Sequence, residues 1–64
     1  MVFDIRLVND NTRKERYEGF YETEEYLQEY LQEHISDYDF QGFTEAQIVN
    51  VDTGNITQTF GLNL

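Results

Sequence analysis

The stretch Thr23-Glu24-Glu25-Tyr26-Leu27-Gln28-Glu29-Tyr30-Leu31-Gln32-Glu33-His34-Ile35 decides the fold. Its apolar and aromatic residues fall in two adjacent rows, Tyr26, Tyr30 and His34, then Leu27, Leu31 and Ile35, each stepping by four. Two such rows make one broad stripe on a helix of 3.6 residues per turn. Thr23 suits the N-cap, where a hydroxyl accepts a backbone N–H of the first turn. Glu24 and Glu25 follow where the helix dipole favours anions. The pattern predicts a helix over residues 24–36, ended by Ser36, Asp37, Tyr38, Asp39 and Gly42. It also turns Tyr26 and Tyr30 toward the core and makes His34, the sole histidine, a packing or rim residue.

On either side the period changes. Residues 2–8 alternate, with Phe3, Ile5 and Leu7 against Asp4 and Arg6, the signature of a half-buried strand. Asn9-Asp10-Asn11-Thr12 is a cluster whose side chains bond their own backbone, and it predicts a turn. A second strand is expected over 14–21, with Tyr17, Gly19 and Tyr21 on one face and Arg16, Glu18 and Phe20 on the other. After the helix, β-branched content rises from Phe43 to Val51. Asp52-Thr53-Gly54-Asn55 then reads as a turn in which Gly54 takes the positive φ of a type I turn with a bulge. Ile56, Thr57, Thr59 and Phe60 carry the returning strand. The order is β-β-α-β-β. It predicts an α+β fold: one domain over 1–64, an antiparallel sheet with an amphipathic helix on one face. Neither a linker nor an internal repeat is evident.

Size and composition narrow the function. A chain of 64 residues buries only about 60 % of its unfolded surface, so it needs a tight core or a partner. Cysteine is absent, which excludes disulfides and thiolate metal sites, while 16 % aromatic content argues against disorder. The N-terminus shows no basic segment followed by an apolar run, and no stretch nears the roughly 20 apolar residues of a membrane span. A cytoplasmic protein without membrane attachment is the expectation. With one histidine and Ser36 the only serine, two residues apart on one helix, a Ser-His-Asp arrangement cannot form. The four glycines build no phosphate loop, and Asp37 with Asp39 or Asp52 with Asn55 match no calcium loop. The expectation is a non-enzyme with no cofactor and no metal.

The charge is polarised. Arg6, Arg13, Lys14 and Arg16 are the only Lys or Arg residues, so residues 1–16 hold four bases against three acids, and residues 17–64 hold ten acids and no base. Within the net charge of −9, three phosphate contacts by the first hairpin would be overwhelmed, so direct nucleic-acid binding is not expected. Pairing with the chain's own carboxylates, or with a second copy, suits those bases better. Glu25, Glu29 and Glu33 recur at i, i+4 and i+8 on the outer helix face, beside Gln28 and Gln32. Like charges at that spacing destabilise a helix by roughly 0.2–0.5 kcal/mol per pair. Asp37 and Asp39 place further anions at the unfavourable end of the dipole. Carboxylates four residues apart advance about 6 Å along a helix, against about 3.4 Å per phosphate along one DNA strand. The ladder has the sign and direction of a phosphate row at around half its density. All five tyrosines lie between residues 17 and 38, each beside a carboxylate in sequence, and Tyr is enriched at protein interfaces. The residues expected to meet a partner are Glu18, Glu22, Glu25, Glu29, Glu33, Asp37, Tyr38 and Asp39.

In length, acidity, coarse architecture and lack of catalytic residues the chain resembles the small inhibitors made by bacteriophages and other mobile elements. Among these are DNA-mimicking inhibitors of uracil-DNA glycosylase, restriction enzymes and CRISPR nucleases. The resemblance spans the whole chain in composition and architecture, and no motif carries it. It implies competition with DNA for a basic, nucleic-acid-binding protein. The alternative is a structural or assembly protein that forms a homodimer through sheet or edge-strand contacts, with Val49, Val51, Thr57 and Thr59 as a second buried face.

Overall fold

Four strands and one helix make up the computed structural model, which describes residues 1–36 and 40–62. β1 (Phe3–Val8), β2 (Glu15–Tyr17), β3 (Glu45–Asn50) and β4 (Ile56–Gly61) form one antiparallel sheet in the order β2-β1-β3-β4. The helix α1 (Glu24–His34) packs across β1 and β3. The β-β-α-β-β reading is therefore the architecture of the molecule.

The core follows from register. Ile5 stands opposite Ile48 and Leu7 opposite Ala46, and residues directly opposed share a face of the sheet. Leu27 and Leu31 of α1 close over that face, and all six side chains are fully buried. Each large apolar side chain so buried contributes about 1.5–3 kcal/mol. Phe3, Phe40 and Phe43 complete the cluster. Thr23 caps α1 as expected, its hydroxyl accepting from the Tyr26 N–H at 3.1 Å. The helix ends at His34 with Ile35 as C-cap, short of the expected residue 36.

Three expectations need correction. Tyr26 is 51 % exposed and outside the core. A single helix buries only its central seam, here Leu27 and Leu31, and the flanking row is covered only where another segment reaches it. Phe20 does this one turn further on, meeting Tyr30 edge-on at 5.0 Å between centroids, and Tyr30 in turn stacks on His34 at 4.2 Å. The second strand is three residues long rather than eight. Asp4, placed by alternation on the solvent side, is 3 % exposed. The last two share one cause. The Asp4 carboxylate accepts from the backbone N–H of Ile5 (2.8 Å), Phe20 (2.9 Å) and Gly19 (3.0 Å). Captured there, the chain leaves the ladder after Glu18, whose N–H still donates to the Ile5 carbonyl at 3.0 Å, turns through positive φ at Gly19 and Tyr21, and rejoins β1 where Glu22 and Phe3 exchange backbone hydrogen bonds.

The two hairpin turns are copies of one another, a short repeat that is not apparent from the sequence alone. In residues 9–14 the Asn9 side chain accepts from the N–H of Asn11 and Thr12. In residues 50–55 the Asn50 side chain accepts from Asp52 and Thr53. Arg13 N–H donates to the Asn9 carbonyl and Gly54 N–H to the Asn50 carbonyl, both at 2.7 Å. The Thr12 and Thr53 hydroxyls each accept from the residue two further on. Both turns need a left-handed residue at the fifth position, and Gly54 (φ 78°) supplies it as the sequence predicts. Arg13 holds the same place at φ 63°, where a Cβ is unfavourable by roughly 1–2 kcal/mol. Arg13→Gly is accordingly expected to stabilise the protein by about 0.5–1 kcal/mol after the entropy of glycine is subtracted. Gly54→Ala should destabilise it by a similar amount, and urea unfolding of both variants measures the pair.

Candidate protein-interaction face

The acidic ladder stands on the outside of α1 because Leu27 and Leu31 fix the helix's rotation. With those two fully buried, Glu25, Glu29 and Glu33 are exposed. None of the three is in an ion pair among the described residues, where the carboxylates that meet arginine are Glu15 and Glu18. Arg6 donates through Nε to Glu15 at 3.2 Å and through its guanidinium to Gln47 at 2.7 Å. Arg16 bonds Glu18 at 2.8 Å. Lys14 and Arg16 also lie over the Phe43 ring, each 5.2 Å from its centroid. Three of the four bases thus serve the first hairpin, and no ion pair among the described residues joins a base to the helix ladder.

The sequence-predicted residues divide. Glu25, Glu29 and Glu33 share one helix face. Glu18 does not join them: it is half-buried and neutralised by Arg16. Glu22 is exposed but held by its backbone beside Phe3, before the N-cap. Asp37, Tyr38 and Asp39 lie outside the described residues.

The structure adds residues that the sequence offered no reason to group. Glu24, Glu25, Gln28, Glu29 and Gln32 of α1 face Gln58 of β4 across an open groove of ≈ 510 Å³. Gln58 Nε2 donates to Glu24 Oε2 at 3.0 Å. Hydrogen bonds from Gln58, then Thr57, hold the Glu24 carboxyl below its ordinary range, so it stays charged to lower pH. At the opposite end of β3, Asp10 pushes the Glu45 carboxyl up through a shared hydrogen bond and like charge. Gln58 reaches the groove because it pairs with Ile48, whose side chain faces the helix. Only the register of β4 discloses that.

The helix-free face is different in character. Tyr17, Tyr21, Val49 and Val51 line a shallow pocket of ≈ 270 Å³ together with Asp4 and Gly54. Val49 is buried, whereas Val51, Thr57 and Thr59 are exposed in the single chain. Among the described residues no group of acids and histidines could hold a metal ion, and no helix is long and apolar enough to cross a membrane. No protein-family model matches this chain, and neither a curated protein nor a solved structure does.

Proposed function

We propose that this protein is a small acidic, non-enzymatic binding module, of the inhibitor kind found in phages and mobile elements. It docks the carboxylates of α1 on a basic, nucleic-acid-binding protein. By filling a cationic groove with Glu25, Glu29 and Glu33, it competes with the phosphate backbone. The observation that carries this reading is the set of three exposed carboxylates that have no cationic partner among the described residues, while arginines pair elsewhere in the chain. Such a row is retained against helix stability. Its long-range field would steer association with a basic partner, fast at low salt and steeply slower as salt rises.

The test is competition. Proteins retained on heparin from a bacterial lysate are passed over the immobilised protein, eluted with a salt gradient, and assayed for DNA binding. Wild type is expected to displace DNA from the captured protein. Glu25→Lys, Glu29→Lys and Glu33→Lys together should weaken that displacement by about 100-fold or more, since close charge pairs across interfaces couple by about 1.5–7 kcal/mol. Unchanged displacement by the triple variant removes the ladder as the contact.

A homodimer is the second reading. It draws on the exposure of Tyr17 (57 %), Tyr21 (62 %), Val51 (44 %) and Ile56 (49 %), three of which border the helix-free pocket. A dimer that persists in sedimentation at high salt, with no affinity for basic proteins, would favour it.

A further inference from the structure

The two edges of the sheet, β2 and β4, are not equivalent. β2 is three residues long and runs among Lys14, Glu15, Arg16 and Glu18. Short length and charge are the devices that keep an edge from pairing with another chain. β4 is six residues long, and no residue from Thr53 to Leu64 is charged. Leu62 N–H donates to the Thr44 carbonyl at 3.0 Å. The alternation of an antiparallel ladder therefore turns the backbone groups of Phe60 and Gln58 toward β3 and those of Thr59 and Gly61 outward. The side chains of Phe60 and Gln58 share the helix-side face with Ala46 and Ile48. A strand added to β4, about 4.8 Å further out, would set alternate side chains on that same face, beside the groove lined by Glu24, Glu25 and Glu29.

We infer that β4 takes up an extended segment of the partner as a fifth strand, carrying Lys or Arg at alternate positions so that these enter the acidic groove. The inference rests on the reading of the helix carboxylates as a contact surface and adds the partner's conformation and charge pattern. Charge complementarity selects the occupant. A second copy would bring another net charge of −9 and a β4 without a single base, whereas alternating cations meet three carboxylates. Main-chain pairing supplies affinity in such strand addition, and alternate side chains supply specificity.

The probe is a nine-residue capped peptide alternating Lys with Val, added to the whole protein and followed by amide exchange in NMR. In the free protein the Thr59 and Gly61 amides should exchange fast, and with peptide at least roughly tenfold slower. Thr59→Pro removes an outward donor without touching the β3–β4 ladder, and should weaken binding about tenfold. Glu25→Lys with Glu29→Lys should weaken it as well. Peptide binding that leaves both amides unprotected overturns strand addition, and if the Lys variant still abolishes it, the acidic contact stands alone. Binding indifferent to the Lys variant overturns both. Amides already protected in the protein alone, with a dimer in sedimentation, place a second copy on the edge and overturn the inference. Should Thr59→Pro fail to fold by circular dichroism, exchange in the wild type decides.

Discussion

Asp4→Ala is expected to leave most of the protein unfolded at room temperature. The substitution strips the acceptor from three backbone N–H groups at once, those of Ile5, Gly19 and Phe20. Hydrogen bonds to a charged group are worth about 1.5–3 kcal/mol each, and a buried donor left unpaired costs about 1–3 kcal/mol. Allowing for water to reach the partly buried pair, the loss is about 3–5 kcal/mol. A core of this size rarely supplies more than about 3–5 kcal/mol of net stability. The margin vanishes. Asp4→Asn keeps the shape and one acceptor oxygen, so it should be destabilised by less and remain folded. Near-ultraviolet circular dichroism from the tyrosines and urea unfolding would rank wild type, Asp4→Asn and Asp4→Ala. Equal stability of all three would show that the carboxylate does not hold the 18–22 segment.

Leu31→Ala has a comparable effect for a different reason. Leu31 is fully buried between α1 and the β1–β3 face, together with Leu27, Ile5 and Ile48. Truncating a core leucine costs about 2–5 kcal/mol, more where the cavity cannot collapse. Here the floor is a paired sheet and the roof a single helix, so collapse can come only from the helix sinking or rotating. Tyr26→Ala, one helical face away and half exposed, serves as the control and should change stability by no more than about 0.5 kcal/mol. Thermal melts of the two variants give the contrast. Similar midpoints would mean that the Leu27–Leu31 seam is not where the helix is held.

The helix was legible because its signal is local: four-residue spacing and a capping threonine act within one element. The strand alternation of Phe3, Ile5 and Leu7 and the left-handed glycine of the second turn were legible for the same reason. Asp4 defeated the pattern because its burial is set by Gly19 and Phe20, fifteen and sixteen residues away. Arg13 concealed the kinship of the two turns, since only its φ matches that of Gly54. In the candidate site, Glu25, Glu29 and Glu33 were readable as a row from their spacing. That Glu18 would be neutralised by Arg16, and that Gln58 would close a groove over Glu24, depends on the path of the chain after Tyr17 and on the register of β4.

By itself, then, the sequence determined the order of helix and strands, though not the length of β2, and that the helix carries a row of glutamates at four-residue spacing. Periodicity and composition are properties of neighbours along the chain. The tertiary structure alone decided which acids remain unpaired, which sheet edge is open, and what stands across the groove from the carboxylates. Those outcomes turn on hydrogen bonds and strand registers between residues far apart in sequence, whose partners no local pattern specifies.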